Sequence, residues 1–437
     1  MRLAGECAPM TATHTWGSPA FRPLPVRLAQ DGALLEDASM RHPDTLSETP
    51  TPKVAEPTET SRRALLRGLG MASVGAAALA AGCARTEAVA APTPAPAAPV
   101  ADKSMAIMGA NESPFGPSKK AVAAMIEKAS MTARYADGEG EELKAQIAKI
   151  EGVAPDQVFL ANGSAPILSA FGEMISMKGK GQLVTSEATY EGVPRTVKQY
   201  EAELIMTPLT ADFRIDLDAM LKKVSSKTTA TYVCNPNNPT GNMVDPVKLK
   251  AFAIEASKTA PCFIDEAYLH LCDDYDANVM TGLIREGHNV VICRTFSKIY
   301  GMAGQRLGYG IAQPELARTI AMTTRGGGIN HAGIVAAMAS ISDADFVPTM
   351  QPKFKAGRER LFKIAKDLGR PIAADPQASF VFFDVGMPHK DFAEKMKAEG
   401  VRVVGRTWPG FDTWTRICVG EDWEMDRCEA ALKKVLA

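Results

Sequence analysis

Several apolar runs of strand length show continuous rather than alternating hydrophobicity, and no other feature of this sequence restricts its fold so strongly. They are Gln182 to Ser186, Ala230 to Asn235, Cys262 to Ala267, Val290 to Thr295 and Arg306 to Ala312. A strand with one wet face alternates apolar and polar residues, whereas one that is apolar throughout is covered on both faces. Helical patterns lie between the runs. In "DPVKLKAFAIEAS", Asp245 is placed to cap the helix and Pro246 to open its first turn. The alternation predicts an α/β fold, a large domain with a mainly parallel sheet between helices. After Asp345 the segments shorten into alternating helices and strands that end on a helix, which predicts a smaller α+β domain.

The first hundred residues do not share this texture. Residues 1–60 are rich in Pro, Thr and Ala without a sustained apolar period, so they are expected to form a disordered extension. Residues 61–101 begin with the paired Arg62 and Arg63 and continue through a Gly/Ala-rich apolar run. This resembles a twin-arginine export signal followed by a Pro/Ala linker. Arg67 and the many small residues make the run a poor membrane span. Cleavage after Ala90, export machinery as a partner and a periplasmic location follow from that reading; lipid anchoring at Cys83 is the weaker variant. If the signal is unused, the protein is cytoplasmic. The remaining boundaries expected are 102–135 for an N-terminal arm and part of the small domain, 136–345 for the large domain, and 346–437 for the C-terminal small domain.

Charge argues for small-molecule chemistry. With 49 basic and 50 acidic residues, no field draws in nucleic acid. The six histidines lack metal-ligand spacing, and no metal is expected. Of the eight cysteines, Cys234, Cys262 and Cys293 sit in apolar runs where cysteine acts as a small hydrophobe, so disulfides are not required.

In open α/β sheets, ligands sit beyond the carboxyl ends of strands. "CNPNNPTG", "DEAY" and "TFSKIYG" follow or close three of the apolar runs. Lys298, between a strand and a small-residue turn, is expected to be partly desolvated and therefore more nucleophilic. Ser297 and Arg306 offer an anion clamp, with Arg306 returning to the same side after "GMAG", whose glycines permit close backbone approach. "NGSAP" adds amides at the start of an apolar helix, around Ser164 and Ala165, where a phosphate can bind. An imine-forming lysine beside a phosphate cradle implies an aldehyde phosphate cofactor. Asp265, at the end of a strand, needs a cationic partner.

With "NESPFGPS", "RYAD", "NGS", "TY" and "RICVG", these motifs make the chain from about Lys103 onward resemble fold-type I pyridoxal-phosphate aminotransferases. The spacing is nearest to that of histidinol-phosphate aminotransferase. The resemblance implies a Schiff base of Lys298 with pyridoxal 5'-phosphate, Asp265 on the ring nitrogen, and Asn238 and Tyr268 on the phenolic oxygen. Tyr190 stacks on the ring, and Ser164, Ala165, Ser297 and Arg306 hold the phosphate. The amino group passes from a small-molecule donor to a 2-oxo acid. Asn111, Arg406 and Arg416 are the expected substrate-binding residues, and Tyr135 is expected to reach the phosphate across a homodimer interface. Two departures from the family pattern bear on substrate choice: Ala165-Pro166 follows Gly-Ser, and three glycines occupy "TTRGGGINHAG". Within the same fold, a decarboxylase, racemase or lyase is the alternative reading; outside it, an exported non-catalytic amine-binding protein.

Overall fold

The computed structural model describes residues 102–136, 138–177, 181–324 and 328–437. The extension at 1–60, all of the signal-like segment and linker at 61–101, and the middle of "TTRGGGINHAG" lie outside the described residues.

Eleven strands are present in this part: β1 (Ala106–Ile107), β2 (Val158–Ala161), β3 (Gln182–Ser186), β4 (Glu203–Thr207), β5 (Ala230–Cys234), β6 (Cys262–Asp265), β7 (Val290–Thr295), β8 (Gly308–Ile311), β9 (Phe380–Asp384), β10 (Val401–Arg402) and β11 (Trp414–Cys418). Seven form the main sheet in the order β2-β8-β7-β6-β5-β3-β4. All run parallel except β8, which is antiparallel to both β2 and β7. The five apolar runs are strands β3, β5, β6, β7 and β8, with β3 and β7 matching the expected limits. The reading did not anticipate β1, β2 and β4.

Continuous apolarity has the expected cause. Successive side chains of one strand enter different cores: Val233, Ile264 and Ile292 face one layer, while Tyr232, Cys234, Phe263, Val291 and Cys293 face the other. The helix Pro246–Ser257 starts as its sequence dictates, with the Asp245 side chain accepting from the amides of Val247 and Lys248. Cys234, Cys262 and Cys293 are buried free thiols. In the smaller layer β9 and β11 pair antiparallel, and β1 pairs with β10, so the N-terminal segment joins the C-terminal elements.

One polar element interrupts this core. Arg294, the penultimate residue of β7, donates to Glu266 at 2.8 Å and to Thr281 at 3.0 Å, and it also pairs with Glu151. All four side chains are buried. Replacing the arginine alone strands two carboxylates away from water, a change that costs about 3–5 kcal/mol. Arg294→Met is therefore expected to lower the urea midpoint of unfolding by an amount equivalent to several kcal/mol. A midpoint within 1 kcal/mol of the parent, on the order of one surface ion pair, would show that this network does not hold the sheet to its helices.

Candidate active site

The carboxyl edge of the sheet carries the expected chemistry. β5 runs out into Asn235 and Asn238, β6 ends on Asp265, and β7 leads through Thr295 to Lys298. β2 leads into the helix Ser164–Met177. Because β8 is reversed, the residues before it enter at this same edge, and that is how Arg306 reaches the site. A cleft of about 380 Å³ opens there; Asn111, Ser164, Ala165, Tyr190, Asn238, Asp265, Tyr268, Ser297, Lys298, Arg306, Arg406 and Arg416 all contribute to its walls. Of the residues singled out in the sequence, only Tyr135 lies apart. It is 87% exposed and does not line the cleft of its own chain.

Asp265 is 1% exposed. Its carboxylate accepts from the Tyr232 hydroxyl at 3.2 Å and from the Ala267 amide at 3.1 Å, and no cation among the described residues pairs with it. Burial pushes its pKa from 3.8 up to about 6. Lys298 shows the mirror case. Burial, with the nearby Arg416 charge, lowers its pKa from 10.5 to about 8. Its Nζ donates to the Asn111 carbonyl at 2.9 Å and lies 5.5 Å from the centre of the Tyr268 ring. The expectation of a desolvated lysine holds.

Arg416 is 4% exposed. It donates to Asn238 Oδ1 at 2.6 Å and to the Gly109 carbonyl at 2.8 Å, while its Nε has no partner. No carboxylate among the described residues pairs with it. The guanidinium lies over Phe380 and Trp408. Arg406 stacks on the same Trp408 but is paired with Glu191. Asn111 lines the cleft, yet its amide is engaged with Tyr268 and Cys418.

The anion cradle depends on backbone shape. Gly163 has φ +92°, and a Cβ there would collide with the Arg306 guanidinium. A Cβ on Gly308 would meet the Gly163 carbonyl carbon and the Ser164 amide at 2.7 Å. Ser164 and Ala165 line the cleft; Pro166 does not. The expectation for "GMAG" needs correction. Gly301 packs against the Gly116 backbone as anticipated, but a side chain on Gly304 would meet nothing within 4 Å.

Three contributors were missed. Tyr232 donates to Asp265, Thr295 hydrogen-bonds Ser297 at 2.9 Å, and Cys418 bonds Asn111. Only Tyr232 carried a sequence signal, as the one phenol in an aliphatic strand.

Comparison with known proteins decides the family. The model for aminotransferase class I and II matches residues 103–433. The chain belongs to that family. It is 31% identical over 336 residues to a histidinol-phosphate aminotransferase from Brevibacillus brevis, covering 75% of this chain and 90% of the relative. It is 32% identical to one from Anaeromyxobacter, covering 76% and 91%. Among solved structures, a putative histidinol-phosphate aminotransferase from Erwinia carotovora superposes with a TM-score of 0.72 at 28% identity, covering 76% of this chain and 95% of that one. The Sinorhizobium meliloti histidinol-phosphate aminotransferase, in complex with pyridoxal 5'-phosphate, gives 0.68 at 29% identity, covering 76% and 91%.

The protein is thus a pyridoxal-phosphate-dependent aminotransferase of fold type I, and the decarboxylase, lyase and non-catalytic readings are not favoured. Its residues fit the cofactor. A buried carboxylate without a cation suits a protonated ring nitrogen, the glycine-shaped cradle with Arg306 suits a phosphate, and a partly neutral lysine amine suits an aldehyde.

The sign of the pH dependence follows from the Asp265 environment. Between about pH 4 and pH 6 the folded, unliganded protein keeps a proton on Asp265 that the unfolded chain has released. Raising the pH through this window therefore favours unfolding, by about 3 kcal/mol in all, and above it the cost stays constant. Unloaded Asp265→Asn is expected to lack this decline, and unfolding curves at pH 4.5 and 7 check it. Identical pH slopes for the variant and the parent would contradict it.

Proposed function

We propose that this aminotransferase takes its amino group from an amine bearing an anionic end, of the histidinol-phosphate kind, and passes it to a 2-oxo acid. One observation carries the reading: Arg416 is a buried cation beside Lys298, with no carboxylate partner and an unused Nε. A charge left so is costly unless an anion completes it. The curated relatives named above are histidinol-phosphate aminotransferases, which supports a phosphate as that anion; the carboxylate of an amino acid has the same chemistry toward arginine.

Pyridoxal phosphate supplies an electron sink for the charge left when a proton departs from the substrate carbon. The protein's own groups do the rest. Asp265 holds the ring nitrogen protonated. Asn238 and Tyr268 would donate to the phenolic oxygen, Tyr190 would pack on the ring, and Ser164, Ala165, Ser297 and Arg306 would hold the phosphate. Lys298 Nζ takes the substrate proton as a base and returns it as an acid. Its pKa of about 8 keeps both forms populated near neutral pH. Arg416, with Arg406 beside it, orients the donor by its anion. We further place Tyr135 across a homodimer interface, because its exposure leaves it free to serve a neighbouring subunit. The paired Arg62 and Arg63 support export to the periplasm, with cofactor loaded beforehand.

Each part has its own readout. Purified protein is expected to be yellow, to bleach with histidinol phosphate and to recover with 2-oxoglutarate; bleaching that comes only with carbon dioxide release would refute transamination. Lys298→Ala should abolish steady turnover. Arg416→Ala should lower kcat/KM for histidinol phosphate by about a hundredfold or more, and an unchanged value would remove the anion-receptor role. Replacing Arg62 and Arg63 with lysine should leave the enzyme in the cytoplasm, whereas unchanged export would refute the signal.

A further inference from the structure

Asn111 lines the cleft, but its hydrogen bonds go to other residues of the protein. Asn111 is 3% exposed and sits at φ +54°, a left-handed conformation that asparagine tolerates better than other residues with a Cβ. This twist sends its two backbone groups in useful directions. The amide donates to Cys418 Sγ at 3.1 Å, and the carbonyl accepts the Lys298 amine at 2.9 Å. Its side chain is polarised as well. Oδ1 accepts the Cys418 thiol at 2.9 Å, so Nδ2 faces the Tyr268 hydroxyl at 2.8 Å.

A second amide reaches the same hydroxyl. Asn238 Nδ2 donates to Tyr268 at 3.3 Å, and Asn238 cannot turn over, because its Oδ1 accepts Arg416 at 2.6 Å. A flipped amide would set an NH2 group against a guanidinium. A phenolic oxygen accepts at most two hydrogen bonds and donates one. With both acceptor positions taken by amides, the Tyr268 hydrogen is left for the cleft that the residue lines. Burial keeps the phenol protonated, so the hydrogen is there to be donated.

We propose that Asn111 is a positioning residue: its amide, oriented by Cys418, turns the Tyr268 hydroxyl proton into the cleft, and its carbonyl docks the Lys298 amine when that amine is free. The proposal rests on the role given above to Tyr268, as donor to the cofactor's phenolic oxygen. It changes the part expected of Asn111, which acts through two other residues rather than on substrate. The expected consequence is electronic. Without the amide, Tyr268 can turn its hydrogen away from the cleft, and the cofactor oxygen loses a donor that favours its ionised form.

The test is a pH titration of the visible band of the loaded enzyme, without substrate. Asn111→Gly keeps a backbone that tolerates positive φ and keeps the carbonyl, and removes only the amide. It should raise the midpoint by about one pH unit, as Tyr268→Phe should. In the double variant the two shifts should not add, because both act through one hydroxyl. Should Asn111→Gly not fold, the Cys418 variants decide the matter: Cys418→Ser, which keeps a donor to Oδ1, should titrate like the parent, and Cys418→Ala should shift upward. A parent-like midpoint in Asn111→Gly, full additivity with Tyr268→Phe, or equal midpoints for both Cys418 variants would each overturn the proposal. Failure of the parent itself to develop the band, or to label at Lys298 with borohydride, would instead sink the catalytic assignment on which it rests.

Discussion

Asp265 and Lys298 are buried charges of opposite sign that the fold does not allow to pair. They arise from neighbouring parallel strands, β6 and β7, and each finds other partners: Tyr232 and a backbone amide for the carboxylate, a backbone carbonyl for the amine. An ion pair between them would relieve both desolvation costs at once, and it would also fill the space that a flat cofactor needs. The raised pKa of one and the lowered pKa of the other record that unrelieved cost. A protonated ring nitrogen facing Asp265 and an aldehyde at Lys298 would remove it. The arrangement requires parallel strands, because only these bring successive carboxyl ends to a common edge.

Much of this was legible before the structure, and the reason is local. Strands buried on both faces announce themselves as unbroken apolar runs, and the residues that follow them fall at the ligand-binding edge whatever the strand order. Three strands went unread. β1 is only two residues long and β4 is an edge strand with half-exposed residues, whereas β2 is an unbroken apolar run that met the criterion and was passed over. The reversal of β8 left no mark in the sequence either, although the placement of Arg306 depends on it. Sequence motifs likewise named residues that line the cleft, but not those that hold them. Tyr232, Cys418 and Glu191 act through contacts with residues remote in the chain or in orientation, and spacing along one strand cannot report a hydrogen bond to another. Gly304 shows the opposite error: a glycine in a tight motif was credited with a close approach that only Gly301 makes.

The two arginines at the substrate end differ in a way their sequence context concealed. Arg406 is already neutralised by Glu191 and supported on Trp408, so an incoming anion must compete with a carboxylate for it. Arg416 presents no such competitor. Its neutral partners, Asn238 and the Gly109 carbonyl, hold the guanidinium in place without cancelling its charge. Anion binding at Arg416 would therefore break no ion pair, whereas at Arg406 it would have to displace Glu191. Arg416 and Cys418 stand two residues apart on β11 and so project from the same face of that strand. Through Asn238 and Asn111 respectively, both end on the Tyr268 hydroxyl. Under the roles proposed above, one strand of the smaller layer would set both the charge offered to the substrate and the direction of the Tyr268 proton. A shift of β11 relative to the main sheet would alter the two together.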